Sequence, residues 1–557
     1  MAMRQIPLRL WALAVLSGVL QVLPFPIAGP VPLWRTEFCW LALMPLLAVL
    51  ISSNQAGEPL TLRQGAMLSY VCGFTWYLGN CYWIYQTMYL YGGLAKPVAA
   101  GILVLFCLYL GLYHALFGTL IVAARRSLGR GYALVLVPFA WVAVELARAR
   151  ITGLPWDFLG ITQVDNPLLT RLAPVTGAYG ISFVIAAVNA LWLTKVHVRN
   201  SRFIRPALTL AIVVTVAAYA IGLNRIRNPH SSPASASATL VQENLSVGAE
   251  SKDPQETKQQ LLESFSYLSR YPSSKYFLGI PELPGTSSVV LLREHPPVDG
   301  VAADTPLPTP TDLIVWPESP APFADYDPEF RASISSLARE ADAPVIVDSL
   351  GVTPDASSRS GYDRYNSASF ITPNGEFSGR YDKMHLVPFG EYVPFKSVLF
   401  FAGDLLAEAG DLSHGTHRTV FNYGGHSYGT FICYESIFAD EVRQFVLKGA
   451  DVLVNISDDG WYGDTSAPWQ HLNMVRMRAI ENHRWVLRAT NTGVTAAIDP
   501  YGRVTEAAPR HVRTSIQVRF GYEHDLTFYT RYGDLFAYLC ALAAALGLGF
   551  SMRRMFQ

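Results

Sequence analysis

Seven apolar runs precede residue 231 and an eighth lies near the C-terminus, and nothing else in the chain restricts its fold as much. They cover Leu8–Val22, Phe38–Ile51, Ala66–Tyr85, Val98–Ala124, Tyr132–Leu146, Gly177–Thr194, Ala207–Leu223 and Leu535–Met552. Several reach the ~20 residues an α-helix needs to cross a bilayer core. The second and fifth are shorter and alone would suit buried helices; in series they read as spans. The first has no small-x-small cleavage site behind it and reads as a retained helix rather than a signal peptide. The expectation is a multi-pass α-helical membrane domain of seven helices over residues 1–230, a polar domain over 231–530, and a transmembrane helix with a cytoplasmic tail over 531–557.

Charge supports that division and orients it. Only 15% of residues are charged, against about 25% in ordinary globular domains. Through Arg227 the chain carries 17 Lys and Arg but 5 Asp and Glu, leaving 26 and 38 for the remainder. With Arg4 and Arg9 cytoplasmic, the inner connections hold Arg63, Arg125, Arg126, Arg130, Lys195, Arg199, Arg202 and Arg205, and the tail holds Arg553 and Arg554. The outer connections hold fewer: Arg35, Lys96, Arg148, Arg150 and Arg171. This is the positive-inside bias, against which only Arg225 and Arg227 run. An odd number of spans then puts the polar region, Ser231–Thr530, outside the cytoplasm.

Five of the six cysteines lie in or beside apolar runs, so Cys433 is the single thiol of the polar domain. Without a partner for a disulfide it is either an inert core residue or a reactive thiol.

Short β-branched runs alternate with amphipathic stretches through the polar domain, the pattern of an α/β fold. Strands are expected at Thr239–Gln242, Leu313–Trp316, Pro344–Val347, Ser367–Ile371, Tyr428–Cys433, Val452–Ile456, Trp485–Ala489 and Val494–Ile498. Helices are expected at Lys258–Arg270, Phe330–Ala341, Asp440–Lys448 and Pro468–His483, and a surface loop at Pro272–Pro310. Three polar groups end apolar runs: Glu318 after Leu-Ile-Val-Trp-Pro, Lys383 opening a loop dense in Pro, Gly and aromatics, and Cys433 followed by Tyr434, Glu435 and Ser436. Singly, each has a structural reading as helix-terminal acid, solvated charge or core thiol.

Together, in the order Glu, Lys, Cys, they resemble the nitrilase superfamily, with its αββα sandwich. The wording narrows the resemblance: Val-Trp-Pro-Glu318-Ser, Tyr-Asp-Lys383-Met-His-Leu-Val-Pro-Phe-Gly-Glu391-Tyr-Val-Pro, Cys433-Tyr-Glu435-Ser, Asn455-Ile-Ser-Asp-Asp-Gly-Trp-Tyr-Gly, Pro468-Trp-Gln-His471 and Arg476-Met-Arg478-Ala. It is similar to the apolipoprotein N-acyltransferase family, bacterial inner-membrane enzymes with membrane helices around a periplasmic nitrilase-like domain. The resemblance implies Glu318, Lys383 and Cys433 as the catalytic set, and activity that depends on Glu391 and Glu435. The partners it implies are a phospholipid acyl donor and a diacylglyceryl lipoprotein acceptor in the membrane.

Acyl transfer from an ester to an amine needs a nucleophile, a proton carrier and an oxyanion partner. Cys433 suits the first role, Glu318 the second and Lys383 the third, with a backbone N–H near Cys433 as second donor. A carboxylate cannot hold an oxyanion, so Glu391 and Glu435 are expected to orient Lys383 or Glu318. Tyr434 is read either as shaping the substrate pocket or as core. Trp316, Phe389 and Trp461 are candidate substrate-binding residues, as is Trp156, which with Arg150 and Asp157 is expected at the lipid interface. A Cys–His dyad through His385 ranks lower, since the Glu and Lys already provide proton transfer and charge.

No His-Glu-x-x-His, Cys-x-x-Cys or Gly-rich phosphate motif appears, so no metal or cofactor is expected. Zero net charge gives no reason to propose nucleic acid, and a monomer is expected. The rival readings are a membrane-tethered amidase of small amides, which would use the same triad, and a transporter or receptor. Glu145 is the one clear acid within the spans, which argues against the last.

Overall fold

The computed structural model describes residues 6–197, 205–210, 212–213, 234–248, 256–272, 310–319, 321, 323–356, 361–392 and 412–555. Much of the Ala207–Leu223 run and nearly all of the Pro272–Pro310 loop lie outside the described residues.

The other apolar runs are helical. Helices occupy Leu8–Val22, Leu62–Asn80, Lys96–Ala147, Ala178–His197 and Leu535–Met555, and the second run is broken into Cys39–Ala42 and Met44–Leu50. The third begins four residues earlier than its apolar pattern because Thr61 caps it. Gln64 N donates to Thr61 Oγ1 at 3.2 Å and Thr61 N to Gln64 Oε1 at 3.0 Å, satisfying two otherwise orphaned donors. The fourth and fifth runs form one helical stretch interrupted at Gly129, whose φ of 87° is a conformation that favours glycine. Among the described residues, Leu33–Leu50 and Lys96–Thr152 are by themselves long and apolar enough to cross a membrane; Leu8–Val22, Ala178–Thr194 and Leu535–Gly549 are shorter apolar helices. The C-terminal helix packs back against Lys96–Ala147, joining both ends of the chain in one apolar cluster.

Among the described residues, twelve strands follow from residue 236: β1 Ala236–Gln242, β2 Leu313–Val315, β3 Val345–Pro354, β4 Tyr362–Ile371, β5 Phe377–Asp382, β6 Val420–Tyr423, β7 His426–Ile432, β8 Val452–Ser457, β9 Val486–Thr490, β10 Ala496–Ile498, β11 Val504–Ala507 and β12 Thr514–Phe520. They form two six-stranded sheets, ordered β12-β1-β2-β3-β4-β5 and β11-β10-β9-β8-β7-β6. The centres are parallel, β1-β2-β3 and β7-β8-β9, and the other pairings antiparallel. Period-2 alternation assigns the faces. Leu240, Leu313, Val315, Ile346 and Phe370 meet Tyr428, Val454 and Leu487 between the sheets. Val241, Ile314, Trp316, Val345 and Val347 turn outward, under the helices Lys258–Arg270 and Pro328–Ala341. The second sheet is covered by Ala439–Leu447 and Ala467–Asn482, completing an αββα sandwich.

The Ala467–Asn482 helix joins the two parts and is buried on every side for that reason. Leu472, Val475 and Ala479 face the sheet, while Met474, Met477 and Ile480 pack into the cluster of apolar helices. Polar contacts reinforce the joint: Arg476 pairs with Asp165 at 2.5 Å, and Ala178 N donates to Glu481 Oε1 at 3.0 Å.

Three residues expected at the lipid interface make specific contacts here. Arg150 bridges Asp440 at 3.0 Å and Asp534 at 2.7 Å; Asp157 is buried and accepts from Asn80 Nδ2 at 2.9 Å; Trp156 is buried, its Nε1 donating to Gln470 Oε1 at 2.9 Å. Arg150 and Trp156 thus tie the sandwich to the helices, whereas Asp157 bonds within the helical part.

Candidate active site

Glu318, Lys383 and Cys433 converge at strand ends. Pro317 has no N–H for the ladder and stops β2 after Val315, so Glu318 is held by a single bridge to Thr490. Lys383 directly follows β5, its N–H donating to Asn366 O at 2.8 Å. Cys433 follows β7 with φ +47°, a left-handed conformation uncommon outside glycine, and opens the short helical turn Cys433–Ile437.

The Lys383 ammonium lies 3.1 Å from Glu318 Oε1 and 2.9 Å from Glu391 Oε1, its side chain only 1% exposed. Burial alone would lower its pKa; Glu318 and Glu391 outweigh that and hold it well above the ordinary lysine value, so it stays charged. Asn366 Nδ2 donates to both acids, at 2.7 Å to Glu318 and 2.8 Å to Glu391. The other oxygens are also engaged: Asp458 N donates to Glu318 Oε2 at 2.9 Å and Val387 N to Glu391 Oε2 at 2.7 Å. Cys433 is buried, and burial together with the Glu318 charge pushes its thiol well above the usual range, while Lys383 pulls it down. A thiol in this setting is protonated at neutral pH and needs a base to become a nucleophile.

Glu435 touches neither the ammonium nor Glu318 among its hydrogen bonds. Its Oε1 accepts from Tyr381 Oη at 2.7 Å, Met384 N at 2.7 Å and His385 N at 3.1 Å, and its Oε2 from Ile432 N at 2.8 Å. It therefore ties the backbone after Lys383 to the backbone before Cys433. Burial raises its pKa, against the opposing pull of these donors.

Trp316 is 1% exposed on the outer face of β2, enclosed by Phe265 and Phe323 and donating to Ser269 Oγ at 2.8 Å, so it offers no surface to a substrate. Trp156 is likewise enclosed. Tyr434 is buried edge-on to Phe438; Phe389 and Trp461 stand exposed. His385 stacks on Phe438 and lies 3.7 Å from Glu441.

Several site residues escaped the sequence reading. Asn366 lies one residue before the expected strand Ser367–Ile371 and is not singled out; the observed strand starts earlier, at Tyr362. Asp459, His471 and Arg488 form a fully buried group behind Cys433, with His471 Nε2 3.0 Å from the Cys433 carbonyl. His471 stood in a quoted motif, but nothing in the sequence gave it a role. Among the described residues, one set of potential metal ligands lies close together, His483, Glu523 and Asp525; it shares no residue with this site, and Arg484 also reaches Asp525 at 3.5 Å.

Comparison with known proteins agrees with both parts. The family model described as carbon-nitrogen hydrolase matches residues 251–519, and that described as apolipoprotein N-acyltransferase N-terminal domain matches residues 17–191. The chain is similar to the apolipoprotein N-acyltransferase of Geobacter metallireducens, 35% identical over 99% of this chain and 96% of the relative. The one from Methylococcus capsulatus is 32% identical, over 97% and 96%. Among solved structures, an amidase from Nesterenkonia sp. is 16% identical and covers 55% of this chain and 96% of its own, with a TM-score of 0.34.

Proposed function

This chain belongs to the apolipoprotein N-acyltransferase family, and on that footing we propose that it is an N-acyltransferase that moves a fatty acyl group from phospholipid to the α-amino group of a diacylglyceryl-cysteine lipoprotein, through a thioester on Cys433. One observation carries the assignment of roles: a buried, charged Lys383 held between Glu318 and Glu391, within electrostatic reach of the Cys433 sulfur.

Glu318 takes the thiol proton as the sulfur attacks the ester carbonyl and the C–S bond forms. Lys383 and a backbone N–H beside Cys433 hold the developing oxyanion. As the C–O bond breaks, Glu318 returns the proton to the leaving alcohol. In the second half-reaction it takes a proton from the incoming amine while that nitrogen attacks the thioester, and the departing thiolate is reprotonated. Glu391 keeps Lys383 in place and Glu435 keeps the lysine and cysteine loops together. A small-amide hydrolase would use the same triad, but the similarity to N-acyltransferases over nearly the whole chain favours the acyltransferase reading.

We further propose that residues 1–230 and 531–557 lie in the bacterial inner membrane and hold residues 231–530 against its periplasmic face. Leu105, Leu112, Leu542 and Leu546 expose their side chains on the helices, as lipid-facing residues do. Moving an acyl chain from lipid to water costs about 0.8 kcal/mol per CH₂, so a site at the bilayer surface spares most of that cost.

Intact-mass analysis of the purified chain after incubation with phospholipid tests the reading. An added acyl mass, absent from Cys433→Ala, is expected; an adduct of equal yield on Cys433→Ala would remove the thiol from the mechanism.

A further inference from the structure

His471 is completely buried at the start of the Ala467–Asn482 helix, and both of its ring nitrogens are engaged. Nδ1 lies 2.8 Å from Asp459 Oδ1, and Nε2 lies 3.0 Å from the Cys433 carbonyl and beside Ser436 Oγ. Asp459 is fixed in turn: Arg488 Nη2 donates to its Oδ2 at 2.6 Å and Ser457 Oγ to its Oδ1 at 3.0 Å. Burial would raise the Asp459 pKa, but Arg488 and His471 hold it below the ordinary carboxylate range, so it stays an ionised acceptor for Arg488.

The ring plane is set from the other side of the joint. Trp156 stacks on His471 with an interplanar angle of 19° and a centroid distance of 6.1 Å. Trp156 is anchored by its Nε1 donation to Gln470, whose Nε2 donates to Asn80 O at 3.0 Å in the apolar-helix part. A continuous set of contacts thus runs from Asn80 through Gln470, Trp156 and His471 to the carbonyl of Cys433. That carbonyl belongs to the left-handed residue on which the thiol sits, a conformation that its surroundings must impose.

We propose that His471 is a positioning residue that holds the Cys433 turn in its reactive geometry, and that Trp156 acts through His471, making the helical part a component of the active site as well as its anchor. The proposal rests on the reading of Cys433 as the acylated thiol. Misplacing a reacting group by about 1 Å costs on the order of 10²-fold in rate, and that is the loss expected when the Nε2 donor is removed.

The test follows acyl-adduct formation on the full chain with phosphatidylethanolamine vesicles, with rates normalised to thiol titrated by iodoacetamide after denaturation of the folded fraction. His471→Ala is expected to lower the maximal rate about 10²-fold with little change in the half-saturating lipid concentration. His471→Gln, which can place a donor near the Nε2 position, is expected to recover most of the rate; His471→Asn, whose amide reaches only the Nδ1 position, is not. Trp156→Ala is expected to be slow as well, and the double variant His471→Ala, Trp156→Ala no slower than His471→Ala alone, because the two act as one unit. Equal rates for the Gln and Asn variants, losses that multiply, or a loss carried by lipid affinity would each overturn the proposal. If His471→Ala yields no folded protein, the Gln and Asn comparison decides alone. Cys433→Ala runs in parallel: an adduct there defeats the thiol assignment, whereas a wild-type rate in His471→Ala with no adduct on Cys433→Ala defeats only this inference.

Discussion

Asn366 donates from one amide nitrogen to Glu318 Oε1 at 2.7 Å, and the same nitrogen reaches Glu391 at 2.8 Å. A neutral donor between two acids, with the Lys383 ammonium bonded to the same two oxygens, fixes where both carboxylates point without adding charge. Asn366→Ala leaves those two Oε1 atoms to Lys383, with only the backbone N–H groups of Asp458 and Val387 holding the far oxygens. Thioester formation is expected to slow about 10-fold or more, since positioning errors of this kind are expensive. Asn366→Asp, which replaces donors with a third acid, is expected to be slower still. Adduct formation at wild-type rate in both would mean that the amide contributes packing only.

The opposing effects of Glu318 and Lys383 on the Cys433 thiol give a prediction with a definite sign. Burial and Glu318 raise the thiol, Lys383 lowers it, and the balance lies well above the usual cysteine range. Iodoacetamide alkylation of Cys433 should therefore still be rising with pH beyond the ordinary thiol midpoint of about 8.5. Glu318→Gln removes a raising charge and is expected to move the midpoint down; Lys383→Met removes a lowering charge and is expected to move it up. The rate of mass gain measured across pH checks both. Shifts of the opposite sign would show that these charges do not act on the sulfur.

The division between what the sequence revealed and what it hid follows burial. Eight strands were expected, and all eight are present as β1 to β4 and β7 to β10. The four not anticipated, β5, β6, β11 and β12, are the four sheet edges. Central strands of a parallel sheet are covered on both faces and read as continuous apolar runs, whereas edge strands carry polar and charged side chains. Phe-Ser-Gly-Arg-Tyr-Asp in β5 has no such run; β12 has a clean alternation, with Ile516, Val518 and Phe520 inward, that a search for continuous runs passes over.

The same logic applies to the site. Glu318, Lys383 and Cys433 each interrupt an apolar or Pro-rich pattern, and the interruption is visible along the chain. Asp459, His471 and Arg488 come from a turn, a helix and a strand, and their meeting is a property of the packed fold. The misplacement of Trp316 has an equally local cause: in β2 the tryptophan shares the face of Ile314, which turns outward, and its proximity in sequence to Glu318 says nothing about its side of the sheet.

The proposed orientation is checked by reporter fusions at Pro254 and at Gln557. With seven spans before the polar domain and one after it, the first reporter is expected on the periplasmic side and the second in the cytoplasm. Both on the same side would mean a miscounted span, and the Ala207–Leu223 run would be the first to re-examine.

Glu318 and Glu435 are separable by the kind of bond each makes. Glu318→Gln keeps the shape but cannot take the thiol proton, so acyl-adduct formation at neutral pH is expected to fall by about 10²–10⁴-fold, the usual worth of general-base assistance. Glu435→Gln can keep three of the four accepted hydrogen bonds through its remaining oxygen and sets its amide against Ile432 N–H. That leaves one buried donor unsatisfied, at a cost of about 1–3 kcal/mol in stability. The expected result is a lower melting temperature, slower turnover and an adduct that still accumulates, because the loops loosen while the proton path survives. A timed adduct assay beside a thermal melt distinguishes the two. An adduct blocked in Glu435→Gln but formed at near wild-type rate in Glu318→Gln would transfer the proton role to Glu435, against a geometry in which its oxygens already face three backbone N–H groups and the Tyr381 hydroxyl.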